Sequence, residues 1–227
     1  MSIKVTWFGH SFFTIESSKV RIAIDPFIEG NKLCPISAGD IEADYICITH
    51  GHADHVGSCV EIAKRCGSVV ISNPEICEWL ANKGAKKNHS MQIGGSYLFQ
   101  WGKLKMTMAL HSSPMPDGSY GGNPMGMIFE IDGKKIYHAG DTGLFGDMKL
   151  IGEEKIDLAL LPIGDNYTMG SDDALKAIAM IKPSKVIPMH FNTFDVIKQN
   201  PVHWIKEINE SKLSQAIQLS PGESITL

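Results

Sequence analysis

The 227-residue chain has no excess of positive charge. Its 21 lysines and arginines stand against 25 aspartates and glutamates, a formal net charge of −4. That balance supplies neither the basic footprint of a nucleic-acid binder nor a polybasic membrane anchor. Long apolar runs are missing too. Leu158–Ile163 is typical of the longest, far short of the ~18 residues a membrane span needs. The opening MSIKVTWFGHSF lacks the charged-then-apolar layout of a secretory leader. Cysteines are few: Cys34, Cys47, Cys59, Cys66 and Cys77. Five is odd and no two are spaced C-x-x-C, which argues against both a disulfide framework and a zinc ribbon. Free thiols in a reducing compartment are expected, and with them a cytoplasmic location. Neither a G-x-S-x-G elbow nor a GK[ST] phosphate loop occurs, so no serine nucleophile or phosphate loop is advertised.

What the chain does have in number is histidine, nine in all. Apolar residues make up 43%, and a chain this long buries roughly 70–75% of its unfolded surface, so a sizeable core needs no staples. No linker or low-complexity tract divides it, and residues 1–227 are expected to form a single domain. Short β-rich runs appear at Ile3–Phe8, Phe12–Glu16, Val20–Asp25, Tyr45–Thr49 and Val69–Ile71. Helical spacing predicts one helix over Asp54–Arg65, stopped by Gly67, and another over Pro74–Asn82. Tyr97–Trp101 and Leu104–Leu110 flank a turn at Gly102-Lys103, and Met127–Ile131 and Lys134–His138 flank Asp132-Gly133, a strong hairpin signal. Further on come a strand at Leu158–Pro162, a helix at Asp172–Ile181, a strand at Lys185–Met189 and a helix near Val202–Asn209. A last strand pair is expected around Ala216–Leu219 and Glu223–Leu227. Mixed strands and helices in both halves argue for an α/β layered fold. Residues 112–126, SSPMPDGSYGGNPMG, hold too many Gly and Pro for a regular element.

The informative stretch is Thr49-His50-Gly51-His52-Ala53-Asp54-His55, with four potential metal ligands in six residues. His50 and His52 stand two apart just after an apolar strand, so an extended backbone sends both rings to one side. Asp54 and His55 follow at a turn into a helix, where the chain changes direction and can aim them at a second point. The N-terminal dipole of that helix would favour a carboxylate there. Neutral imidazole with carboxylate suits zinc, manganese or iron. Without an ion, several polar rings would be poorly satisfied in one pocket.

The string T-H-G-H-A-D-H resembles the signature of the metallo-β-lactamase superfamily. His111 after Leu104–Leu110, Asp141 in His138-Ala139-Gly140-Asp141-Thr142-Gly143, and His190 after Val186–Met189 complete the pattern in order and context. The resemblance covers essentially the whole chain. It implies a four-layer αββα sandwich, two mixed sheets flanked by helices. It further implies one ion on His50, His52 and His111, a second on Asp54, His55 and His190, and Asp141 bridging. Gly9-His10-Ser11, Ile24-Asp25-Pro26-Phe27 and the stretch Leu161–Gly170 are similar to a branch of largely uncharacterised metal-dependent hydrolases, related to the L-ascorbate-6-phosphate lactonase group. Oxygen-reducing relatives resemble H-x-E-x-D, with a carboxylate where this chain has His52, which fits hydrolysis better.

The expected chemistry is hydrolysis of an ester, lactone or phosphoester in a small molecule by a hydroxide bridging two divalent ions. Zinc is the first expectation; manganese, iron and nickel suit the same donors. Asp54 would be a ligand first and a proton shuttle second. The resemblance places His10 near the pocket as substrate contact or proton donor; a structural histidine is the alternative. Asp25 can accept from the free N–H of a ligand histidine. His138 reads as a neighbour of the site rather than a ligand, and His89 and His203 as surface residues. Loop 112–126, with Met115, Tyr120 and Met125, and the stretch Asp165–Ser171 are candidate lids or substrate walls. The alternatives are an RNA-processing nuclease of the same superfamily and a non-catalytic metal-binding sensor. A small-molecule substrate is expected, with no nucleic-acid or membrane partner; a homo-oligomer is compatible with the sequence.

Overall fold

Two seven-stranded sheets face each other in the computed structural model, which describes residues 2–227. The first holds β1 (Lys4–Trp7), β2 (Phe13–Glu16), β3 (Arg21–Ile24), β4 (Tyr45–Cys47), β5 (Val69–Ser72), β6 (Asn88–Ser90) and β14 (Ser224–Thr226). Their order is β14-β1-β2-β3-β4-β5-β6. The second holds β7 (Ser96–Phe99), β8 (Gly102–Met108), β9 (Met125–Ile131), β10 (Lys134–His138), β11 (Leu158–Pro162), β12 (Lys185–Met189) and β13 (Gln215–Ala216), ordered β13-β12-β11-β10-β9-β8-β7. The helices are α1 (Ala53–Val56), α2 (Cys59–Cys66), α3 (Pro74–Asn82), α4 (Met148–Glu153), α5 (Ser171–Ile181) and α6 (Pro201–Ser211).

Strand alternation builds the layers. Ile22 and Ile24 of β3 and Cys47 of β4 join Met106, Phe129 and Leu160 of the other sheet in one apolar cluster. The intervening Ala23 and Ile46 turn the other way and pack with Val56, Ile62, Ile76 and Leu80 of α1, α2 and α3. On the far side, Ala174, Ile178, Trp204 and Ile208 of α5 and α6 cover the second sheet. The result is the helix–sheet–sheet–helix order that the resemblance implied.

Strand direction places the site. In the first sheet β2 is antiparallel to both β1 and β3, and β3 is parallel to β4, so β1, β3 and β4 point one way. In the second, β9 is antiparallel to both β8 and β10, and β10, β11 and β12 are parallel. The like-directed β8, β10 and β12 therefore end at one edge. His10, Asp25 and His50 follow β1, β3 and β4, while His111, Asp141 and His190 follow β8, β10 and β12.

The structure corrects three sequence expectations. The Asp54–Arg65 helix is broken: α1 ends at Val56, and Gly57 takes φ +41°. A Cβ at Gly57 would stand 2.3 Å from the Pro26 carbonyl oxygen, so the chain can pass under the Pro26 loop only as glycine. The long-helix dipole expected behind Asp54 thus shrinks to a four-residue turn. The last two strands do not pair with each other. β13 pairs with β12 and β14 with β1, because each is pulled to the open edge of a different sheet. The first hairpin turns at Gln100-Trp101, with Gly102 already in β8. Two elements were not anticipated, β6 and α4. One is three residues and the other six, too short to show a period.

Candidate metal centre

Three nitrogens converge first. His50 Nε2 lies 2.9 Å from His52 Nδ1, and His111 Nε2 lies 3.3 Å from the same atom. Tetrahedral zinc with bonds of about 2.0–2.1 Å sets its ligand atoms ~3.3 Å apart, so this spacing suits an ion. A second group follows: His10, Asp54, His55 and His190 each offer an atom, all within 4.8 Å of one another. Asp141 stands between the groups. Its Oδ2 is 2.9 Å from His190 Nε2 and 3.3 Å from His55 Nε2, and 3.6 and 4.0 Å from the Nε2 atoms of His111 and His50.

Buried partners fix which nitrogen each ring presents. Asp25 is wholly enclosed. Its Oδ1 accepts from the Thr49 amide at 2.8 Å, and its Oδ2 from the Thr49 hydroxyl at 2.6 Å and from His55 Nδ1 at 2.8 Å. With the Thr49 proton given to Asp25, its oxygen is left to accept from His50 Nδ1, 3.0 Å away. One carboxylate thereby turns the Nε2 atoms of both His50 and His55 toward the site. This is the orienting role that outer partners of metal ligands play. His138 acts on the backbone instead: its Nε2 donates to the Ser11 carbonyl at 2.9 Å and its Nδ1 accepts from the Gly140 amide at 3.1 Å, setting the turn that carries Asp141.

Burial and charge pull the groups apart. Burial, aided by neighbouring His55, drives His50 well below its ordinary value, and burial also lowers His52 and His111, leaving neutral imidazoles. Burial also opposes charge on His55, but Asp141 and Asp25 more than offset it and raise this ring well above the usual range. Burial acts to raise Asp141 and Asp54, and the imidazoles beside them win, holding both carboxylates ionised.

The donor set fits a divalent ion. His55 Nε2, the ring nitrogen turned toward the site, is buried without a hydrogen-bond partner, a cost that ligation or a proton must relieve. Five imidazoles and two carboxylates at one edge provide the lone pairs.

The remaining candidates are placed as follows. His10 is 0% exposed and reaches the pocket through Asp54, whose Oδ2 lies 3.1 Å from its Nε2; of the expected roles, this enclosure favours the structural one over direct contact with substrate. Loop 112–126 is docked, not free. Ser113 Oγ accepts from the Gly51 amide and donates to Gly121 O, each at 2.9 Å. Asn73 Nδ2 donates to Gly121 O at 2.7 Å, and Trp79 Nε1 to Asp117 Oδ2 at 2.7 Å. A Cβ on Gly51 would meet Met115 Sδ at 2.8 Å, so the ligand string and the loop pack backbone to side chain. Met115 and Met125 are core residues and Tyr120 alone of the three is exposed, at 70%. The loop is a wall beside His52, whose Nε2 is 3.3 Å from Ser112 Oγ. The other wall, Asp165–Ser171, carries exposed Tyr167 and is tied to the Asp141 turn by Met169 N–H donating to Thr142 O at 2.8 Å. His89 packs against Tyr97 and Phe99 at the edge of the sheets, away from these groups. Thr49 was missed as an orienting residue, because a hydroxyl acquires that role only from partners placed by the fold.

A family model described as "Beta-lactamase superfamily domain" matches residues 4–190. The chain is 47% identical over 225 residues to a UPF0173 metal-dependent hydrolase of Thermus thermophilus, covering 99% of each. It is 48% identical to another UPF0173 metal-dependent hydrolase, from Pelotomaculum thermopropionicum, over 99% of this chain and 100% of that one. Among solved structures it is similar to Igni18, a metallo-hydrolase of the archaeon Ignicoccus hospitalis, with TM-score 0.91 and 39% identity over 100% of this chain and 99% of that one.

Proposed function

This chain belongs to the metallo-β-lactamase superfamily and to its UPF0173 group of metal-dependent hydrolases, and on that premise we propose that it uses two divalent ions to hydrolyse an ester, lactone or phosphoester of a small molecule. The observation that carries the reading is the shared position of Asp141 Oδ2, within 4.0 Å of nitrogens from both histidine groups. His50, His52 and His111 would hold one ion, and Asp54, His55 and His190 the other, with Asp141 common to both. When bound, such a pair supplies Lewis acidity and lowers the pKa of a shared water. Zinc fits the spacing, and manganese, iron and nickel fit the donor types.

The chain's own residues do the rest. Asp25 and Thr49 keep the imidazoles in the tautomer that leaves Nε2 free. Asp54 is about one quarter exposed at its side chain, while the other carboxylate, Asp141, is enclosed. Asp54 is therefore placed to hold or pass a proton at the open side. Ser112 and Tyr167 stand on the two walls, where a substrate would meet them.

The test is metal quantification on purified protein, then a screen of lactones, phosphodiesters and thioesters with that metal restored. Two ions per chain, turnover of a member of the panel, and loss of that turnover in a folded Asp141→Ala variant are expected. Full activity in Asp141→Ala ends the reading. Metal bound with no turnover favours a non-catalytic sensor, and cleavage of transfer-RNA precursors favours the nuclease.

A further inference from the structure

His10 grips both halves of the molecule through its side chain and its main chain. Its Nε2 lies 3.1 Å from Asp54 Oδ2, beyond the first sheet's β4. Its carbonyl accepts from the amide of His190, beyond β12 of the second sheet, at 3.0 Å, and from Trp7 Nε1 at 2.9 Å. The other ring nitrogen, Nδ1, is 2.9 Å from the Thr193 hydroxyl. The ring is sealed by the edges of Phe27 and Phe194, each with centroids 5.5 Å away. His10 and His190 both take φ +54°, a left-handed conformation uncommon for non-glycine residues. Strain of that kind persists only where surrounding contacts enforce it, and here the His190 amide bonded to the His10 carbonyl couples the two strained residues.

Proton logic fixes the tautomer. An ionised carboxylate only accepts, so Nε2 must carry the hydrogen and donate to Asp54. Nδ1 then accepts from Thr193, whose hydroxyl has a free donor because its other contact, Phe191 O, is a long 3.5 Å. Neither nitrogen is left for substrate.

We propose that His10 is a positioning residue for the second ion. Its side chain orients Asp54 and its main chain orients His190, so one residue sets the separation of two ligands from opposite sheets. The assignment rests on the two-ion reading of the site.

Two side-chain amides separate the contacts. His10→Asn tolerates the left-handed backbone and can mimic Nδ1 toward Thr193, but is too short to reach Asp54. His10→Gln places an N–H where Nε2 was. Zinc affinity is measured by competition with a chelator, with cobalt(II) absorption recorded on the same variants. His10→Asn is expected to weaken the second ion ~10–100-fold, the usual effect of losing an outer partner of a ligand, and to change only the later-filling cobalt band. The first ion should be unaffected, and His10→Gln should restore most of the loss. Thr193→Val, which frees Nδ1, should fall between the two. The assignment is overturned if His10→Asn binds both ions as tightly as the parent. It is overturned equally if His10→Gln loses as much as His10→Asn, which would make the ring itself a ligand, or if both ions weaken together. Wild-type protein that takes up a single ion overturns the two-ion reading, and the assignment with it.

Discussion

Asp25 accepts three hydrogen bonds, from the Thr49 amide and hydroxyl and from His55 Nδ1. In Asp25→Asn one of the two oxygens becomes an N–H₂ group, which cannot accept, so at least one of these donors is orphaned in a dry interior. Ion affinity at His55 should fall ~10–100-fold, measured by chelator competition. Thr49→Val should weaken the His50 group instead, leaving the Asp25–His55 contact in place. The histidines and aspartates of this network were legible in the sequence because their chemistry is intrinsic and four of them are nearly contiguous. Thr49 was not, since a threonine after a strand looks like any other. His10 was legible as a site residue, but its enclosure was not, because that depends on Phe194, far along the chain.

Among the elements, the break between α1 and α2 shows what periodicity misses. Val56, Val60 and Ala63 keep helical spacing across Gly57, and only the Pro26 backbone, brought close by tertiary packing, forces the kink. Gly57→Ala should cost at least ~2 kcal/mol, combining backbone strain with a clash that no side chain can relieve. In a chain of this size that lowers the melting temperature by roughly 4–8 °C, readable by calorimetry. A second prediction concerns the end of α4. Glu154 bonds Lys105 of β8 at 2.6 Å and Lys135 of β10 at 2.8 Å. Lys105 and then Lys135 hold its carboxyl down at about 2, from the ordinary 4.5. A carboxylate depressed on folding adds stability above pH 4.5 that is lost as pH falls toward 2. Urea midpoints across that window should drop less steeply in Glu154→Gln than in the parent. The short elements β6 and α4 were invisible in the sequence because pairing and packing, not propensity, hold them.

At the scale of the molecule, the layered α/β architecture follows from alternation, and the site from strand direction. The candidate ligands reach one edge only because β1, β3 and β4 run together in one sheet and β8, β10 and β12 in the other. Which sheet the final strands would join was not legible, since either open edge offers the same backbone hydrogen bonds. No helix among the described residues is long and apolar enough to cross a membrane. Ions held as proposed would tie the sheets together, so stripping them with a chelator should lower the melting temperature. At free metal one hundred times the dissociation constant, each ion contributes ~2.7 kcal/mol, or roughly 5–10 °C; an unchanged melting curve would contradict the two-sheet ligation.

The compact string from His50 to His55 has a consequence in time. Four donors close together in sequence could grip an ion before any sheet exists, whereas His111, Asp141 and His190 join them only when the second sheet has closed. An ion met too early is held by the unfolded chain, and that grip subtracts from the stabilisation of the folded one.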